Sequence, residues 1–217
     1  MTMDNFRVCP ICNNYSPFRL KKDEVEYFQC TNCKTLFSEQ LDNDNKVGGD
    51  YEVERNVNEN AERIERLKGL SAKEPKDLFV LDYGCGHGYF VKDLRYAGFN
   101  VDGFDMYNPE FEKLPERNKY DFVTMVEVAE HLSTPYVEFD CIFRSLKNNG
   151  ILYVETSFVN VAEEENIELD DFHYIAPLFG HSTIYSHHGL DLLLALKGFT
   201  PIVHINRHVR CYIKNVK

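Results

Sequence analysis

Val80-Leu81-Asp82-Tyr83-Gly84-Cys85-Gly86-His87-Gly88-Tyr89-Phe90 is an apolar run that stops at an acid and opens into three alternating glycines. The run DLFVLDYG (77–84) predicts a buried strand, and GYFVKDLRYAGF (88–99) predicts an amphipathic helix stopped near Gly98. Glycines between a strand and a helix let main chain pass close to a ligand where any side chain would collide. A dinucleotide loop, G-x-G-x-x-G, needs glycine at 89, where Tyr89 stands, and no G-K-[ST] follows to make a phosphate-gripping loop. The loop therefore suits a nucleoside ligand that carries no phosphate.

Outward from this loop, strand and helix patterns alternate. NVDGFD (100–105), YDFVTMVEV (120–128) and ILYVETS (151–157) read as strands; residues 58–70, 134–150 and 186–199 read as helices; TPIVHINRHVRCYIK (200–214) reads as a hairpin. In the last helix Ser186 is the expected N-cap and Gly198 the expected stop. This alternation predicts an α/β, doubly wound, mostly parallel sheet with helices on both faces. Ligands of such sheets lie beyond the carboxyl ends of the strands, near the switch point. The chemistry is therefore expected at Asp82 to Gly88, Asp105, Glu127 to His131 and Glu155 to Ser157.

S-adenosylmethionine fits these requirements. Loop amides at a helix N-terminus can face its carboxylate, and Asp82 can meet its ammonium. Asp105 can accept from both ribose hydroxyls, although an acid there also suits NAD, and Met106 can lie against adenine. Gly84, Cys85, Gly86, Gly88 and Val126 complete the expected cradle.

VLDYGCGHGYFVKDLRYAGFNVDGFD resembles the first motif and ribose acid of class I S-adenosylmethionine-dependent methyltransferases. YDFVTMVEVAEHLSTP resembles their fourth motif, and LKNNGILYVETS their next strand, in order and at normal spacing over about residues 78–200. The resemblance implies a Rossmann-like sheet of seven strands. Glu127-Val128-Ala129-Glu130-His131 resembles the E-x-x-E-H metal motif of small-RNA 2′-O-methyltransferases, and a similar cluster of ubiquinone-biosynthesis O-methyltransferases. In the small-RNA family a later histidine completes the site; His181 is the best match here, with His173 next. Two roles are open for Glu127, Glu130, His131 and His181. They can hold a divalent cation such as magnesium or manganese on the acceptor hydroxyl, or a histidine can act as general base. Glu and His after this strand also occur widely as helix caps and pocket walls.

Upstream, Cys9-Pro-Ile-Cys12 and Cys30-Thr-Asn-Cys33 are twin C-x-x-C pairs, the ligand pattern of structural zinc. Such knuckles accompany methyltransferases of sugar and natural-product pathways, and a family that methylates ribosomal-RNA guanine. The expected division is a knuckle over 1–40, a polar linker over 41–57 and a methyltransferase domain over 58–217.

The chain has 217 residues, 43% hydrophobic content and a formal charge of −11. That is one core's worth of apolar residues, and an acidic surface that repels nucleic-acid backbones. The sequence has no membrane-length apolar run and no signal-like N-terminus, and this predicts a cytoplasmic protein without a membrane partner. The leading reading is O-methylation of a small metabolite or glycan. The alternatives are an RNA ribose methyltransferase, or a non-catalytic domain that binds cofactor or a protein partner. Tyr153, Phe158, Phe172, Tyr174, Phe179 and Tyr185 are candidates to line the acceptor pocket.

Overall fold

A computed structural model of the protein describes residues 6–39, 52–132 and 134–215. The N-terminal part holds β1 (Phe6–Val8), β2 (Tyr15–Lys22), β3 (Val25–Gln29) and β4 (Leu36–Phe37). Helix α1 (Glu52–Gly69) leads into β5 (Phe79–Tyr83), α2 (Tyr89–Tyr96), β6 (Asn100–Phe104) and β7 (Tyr120–Val126). Then come α3 (Pro135–Ser145), β8 (Leu146–Glu155), α4 (Val159–Glu165), β9 (Thr183–Ile184), α5 (His187–Lys197), β10 (Phe199–His204) and β11 (Val209–Lys214).

The main sheet has the order β10-β11-β8-β7-β5-β6. Strands β6, β5, β7 and β8 pair in parallel, and β11 and β10 add antiparallel at one edge. Four of the five residues of β5 are buried, as two-sided coverage requires. Leu67, Val80, Val91, Leu94 and Phe122 pack on the face covered by α1 and α2. The opposite face belongs to a second core holding Phe139, Ile142, Leu152, Leu190 and Leu194. Chain order reverses at β5, which has β6 on one side and β7 on the other, so the switch point lies above Asp82.

Three boundaries differ from expectation. The sheet has six strands among the described residues, not the seven implied by the resemblance. Between β6 and β7 the chain forms turns and bends, and its Pro109 and Pro115 lack the N–H that a ladder needs. Helix α3 ends at Ser145 rather than near Gly150. The amides of Asn118 and Lys119 take the carbonyls of Arg144 and Ser145, so the chain enters β8 at once, paired with Tyr120 through Leu146. Helix α1 begins at Glu52, inside the stretch read as linker; the part of that linker at 41–51 lies outside the described residues.

Helix α5 follows its signals: Ser186 accepts from the Gly189 amide, and Gly198 ends the helix with φ of 94°. The N-terminal strands form a second sheet, β1-β2-β3-β4-β9, whose last strand comes from the far side of the sequence. Leu36 pairs with Ile184 and Phe37 with Thr183. Ile11, Tyr27, Phe28 and Phe37 share one core with Phe139, Phe158 and Leu190, so the knuckle packs into the larger fold. Among the described residues no helix is long and apolar enough to cross a membrane.

Candidate active site

The glycine loop leaves β5 with left-handed backbone at Gly84 (φ 77°), Gly86 (φ 53°) and Gly88 (φ 76°). A Cβ on Gly84 would lie 2.5 Å from a Val128 methyl, and one on Gly88 would lie 2.5 Å from the Phe111 ring. Both positions thus require glycine for conformation and for space. The Gly84 and Cys85 amides donate to the Phe104 carbonyl at 2.7 and 3.1 Å, which ties the loop to β6.

Asp82, almost fully buried, accepts from the Thr124 hydroxyl at 2.8 Å across the β5–β7 pair. Asp105 clamps the loop. One carboxylate oxygen accepts from the Gly86 amide at 2.8 Å and the other from the Tyr107 amide at 2.9 Å. Asn108 donates to the Gly86 carbonyl at 2.7 Å, so both backbone groups of Gly86 are held by the segment after β6. A carboxylate has about four acceptor positions, and two here are free of these amides.

A cleft of about 530 Å³ opens beyond the carboxyl ends of β5, β7 and β8. Of the expected cofactor residues, Asp82, Gly84, Cys85 and Val126 line it. Gly86, Gly88, Asp105 and Met106 do not; Met106 is largely exposed. Burial pushes the Cys85 thiol up, so it is no thiolate nucleophile at neutral pH.

The Glu/His cluster divides. Glu127 lines the cleft, with left-handed backbone (φ 54°) that its amide holds by donating to the Glu155 carbonyl at 2.9 Å. The ligand atoms of Glu130, His131 and His181 lie within 4.8 Å of one another, and Glu127 is not of that group. Glu130 has no exposed surface. Its oxygens accept from Thr156 at 2.9 Å and Tyr174 at 2.5 Å. The Tyr174 hydroxyl also lies 3.1 Å from Glu127 and so joins the two carboxyls. The His131 and His181 rings meet edge to face at 4.8 Å between centroids. His131 Nδ1 lies 3.3 Å from the Gly180 carbonyl and His181 Nδ1 lies 2.7 Å from that of Tyr174. Burial holds the His181 imidazole below its ordinary value, which keeps it neutral near pH 7.

Glu127 is exposed along the cleft. The surrounding protein, and then the neighbouring Glu130 carboxyl, push its pKa up to about 8. The Tyr174 hydroxyl has one proton for two carboxyl contacts, 2.5 Å to Glu130 and 3.1 Å to Glu127.

Three site residues had no motif to announce them. Arg63, nearly fully buried, bridges α1 to Glu155 at 2.7 Å and also donates to Asn60, one turn back on the same helix, at 2.9 Å. Burial alone would raise Glu155, but the Arg63 guanidinium holds it below its usual range. Thr124 and Phe111 are the others; nothing in the local pattern marks either. Of the aromatic candidates, Tyr174 alone lines the cleft. Tyr153, Phe158, Phe172 and Tyr185 are core, and Phe179 is exposed. His173 lines the cleft, on the opposite account from His181. Glu165, from the acidic block 163–171, pairs with Arg207 at the cleft wall.

Residues 51–204 match the methyltransferase domain family. The chain belongs to that family. The methyltransferase is 26% identical over 114 residues to a ubiquinone biosynthesis O-methyltransferase of Rickettsia bellii, covering 43% of this chain and 47% of that protein. It is 28% identical over 118 residues to one of Pseudomonas fluorescens, covering 43% and 48%. The match thus spans about half the length of these curated relatives. Among solved structures, it resembles magnesium protoporphyrin IX methyltransferase from Synechocystis at a TM-score of 0.53 and 15% identity, covering 73% of this chain and 83% of that one. It resembles a Burkholderia thailandensis N1-methyltransferase, solved with S-adenosylhomocysteine, at 0.52 and 15%, covering 73% and 77%. These likenesses show the class I S-adenosylmethionine-dependent methyltransferase fold.

At the N-terminus the four cysteine sulfurs lie within 4.8 Å of one another. Cys9 and Cys33 Sγ are 3.6 Å apart, and Cys12 and Cys30 Sγ 3.4 Å. Each C-x-x-C turn closes with an amide donating to the first cysteine's carbonyl, from Asn13 at 3.0 Å and Lys34 at 3.1 Å. Both closing residues have positive φ, which folds each turn back under its sulfurs.

Proposed function

We propose that this methyltransferase uses S-adenosylmethionine to methylate a hydroxyl of a small molecule or glycan. The carrying observation is the cleft at the switch point, where Asp82, Gly84, Cys85 and Val126 meet Glu127. The lining fits a cationic, phosphate-free ligand. Its arginines are already ion-paired: Arg63 with Glu155, Arg66 with Glu62 and Arg207 with Glu165. Asp82 and Glu127 place two carboxyl groups among the lining residues. The curated relatives, named for O-methylation, support a hydroxyl acceptor.

The bound donor supplies an electrophilic methyl on a sulfonium. Asp82 and the close-approaching Gly84–Cys85 turn would border its amino-acid end; Asp105 fixes the loop and would keep acceptor positions for the ribose. Glu127, exposed along the cleft, would take the acceptor's hydroxyl proton once it has lost its own, near pH 8. Proximity in the cleft does the rest of the work, because direct transfer needs no covalent enzyme intermediate. Calorimetry with S-adenosylhomocysteine, and mass spectrometry of metabolite, glycan and RNA pools incubated with isotope-labelled donor, test this reading. Labelled small-molecule methyl ethers are expected; absence of cofactor binding would end it, and labelled RNA ribose would replace the acceptor class.

A second reading has its own support. Glu130, His131 and His181 are close enough to share a divalent cation, and each histidine Nδ1 against a backbone carbonyl leaves Nε2 as the ligand atom. Activity that disappears on chelation and returns with manganese or magnesium would support it. Activity indifferent to chelators would eliminate it.

The knuckle is proposed to hold one structural zinc. A tetrahedron with Zn–S of about 2.3 Å has sulfur–sulfur edges of about 3.8 Å, close to the spacings present. Four thiolates close the coordination sphere, which assigns the ion to folding.

A further inference from the structure

The second sheet ends on a strand that is not its own. β9 pairs with β4 along Leu36–Phe37, and the Ser38 amide donates to the Ser182 carbonyl at 2.8 Å. Just before β9, the Tyr27 hydroxyl donates to the His181 carbonyl at 2.6 Å. Lys22 donates to the Phe172 carbonyl at 3.0 Å, and Ser186 donates to the Cys33 carbonyl. On its other side the same segment reaches Glu130. The Ser182 amide donates to the Glu130 carbonyl at 2.9 Å and the Tyr174 hydroxyl to its side chain at 2.5 Å, while within the segment His181 Nδ1 lies against the Tyr174 carbonyl. Residues 172–186 are thus held between the knuckle and Glu130. They contain little regular structure: one 3-10 turn, Pro177–Phe179, and the two residues of β9.

A segment with so little regular structure takes much of its order from what it leans on. Within 172–186 the carbonyls of Phe172, His181 and Ser182 are bonded by the knuckle side. None of these bonds involves the glycine loop, β5 or β6.

We infer that the cysteine knuckle braces the acceptor side of the cleft, with Tyr27 as the positioning residue that sets His181 and, through it, Tyr174. The inference rests on the reading of this cluster as the acceptor side of a methyltransferase site. Metal at the four cysteines fixes β3 and β4, and these strands hold 172–186; the cofactor side stands without them.

The test compares the metal-loaded full chain with the same chain stripped by 1,10-phenanthroline, using amide hydrogen exchange read by mass spectrometry. Exchange across 172–186 is expected to accelerate about tenfold or more, while 79–83 and 100–104 keep their protection. S-adenosylhomocysteine affinity is expected to stay within about threefold between the two forms. Tyr27→Phe is the milder variant. It keeps about one zinc per chain, yet exchange at 181–184 should rise about fivefold and the His181 ring resonances should shift. Parent-like exchange over 172–186 in the stripped protein overturns the inference. So does a Tyr27→Phe protein matching the parent in exchange and His181 resonances; if stripping melts the whole chain, this variant decides alone. Loss of S-adenosylhomocysteine binding only in the stripped form refutes the confinement to the acceptor side. Failure to bind in both forms removes the cofactor reading instead and leaves the exchange result standing.

Discussion

Tyr174 and Tyr185 lie eleven positions apart on one segment, and loss of their hydroxyls is predicted to move stability in opposite directions. The Tyr174 hydroxyl lies 2.5 Å from Glu130, 2.9 Å from Thr156 and 3.1 Å from Glu127. Tyr174→Phe leaves a carboxyl oxygen of Glu130, which has no exposed surface, without its donor. A buried polar atom orphaned in this way costs about 1–3 kcal/mol. In a chain of this size that lowers the melting temperature by about 2–12 °C. Tyr185 is also fully buried, but its hydroxyl has no hydrogen-bond partner among the described residues. Tyr185→Phe removes a polar atom that already bears its desolvation cost, so it should be neutral or gain up to about 2 kcal/mol. Urea denaturation at fixed pH, with equal m-values across parent and variants, gives both differences directly. The reasoning fails if Tyr174→Phe matches the parent within about 0.5 kcal/mol, or if the Tyr185 variant is the less stable of the two.

Gly84→Ala should cost about 2–4 kcal/mol, because it adds left-handed strain to the Val128 collision; Val128→Ala should relieve part of that in the double variant, as denaturation midpoints will show. Asp105→Ala releases the amides of Gly86 and Tyr107 and should weaken S-adenosylhomocysteine about tenfold or more by calorimetry; unchanged affinity would separate Asp105 from the cofactor site. Glu127, pushed up to about 8, should give turnover that rises with pH through about 8, and Glu127→Gln should abolish that limb along with most of kcat. The same group sets a stability trend. Its contribution is fully present below the ordinary glutamate range and lost as pH rises through about 8, though cleft water screens the size of the effect; Glu130→Gln should flatten it.

The parallel sheet was readable because Leu78–Leu81 is an unbroken apolar run ended by an acid and Phe122–Val126 is apolar but for Thr124, a pattern that two-sided burial favours. The glycine loop was readable for the same local reason. Limits appear where partners come from afar. Helix α3 stops at Ser145 because amides 118 and 119 take its last carbonyls, which the sequence of α3 does not record. Glu127, Glu130 and His131 were grouped by their spacing and by resemblance to a metal motif, and His181 by the resemblance alone, but the chain after β7 makes a left-handed step at Glu127 and a 3-10 turn over Ala129–His131. That sends Glu127 to the cleft and Glu130 into the core. Arg63 carried no signal, since an arginine in a charged helix reads as a solvated one until Glu155 is seen beneath it.

The strand Thr183–Ile184 sets a limit on dissecting this chain into modules. A cut after residue 39 would appear to separate a small metal-binding unit from a catalytic one, yet it would split the Leu36–Ile184 and Phe37–Thr183 pairs. Each fragment would present a raw ladder edge of apolar residues, the kind of surface through which chains stick to one another. Transplanting the knuckle onto another methyltransferase therefore demands that the recipient supply a matching strand, and inheritance of the two parts is tied to a two-residue handshake rather than to the linker between them.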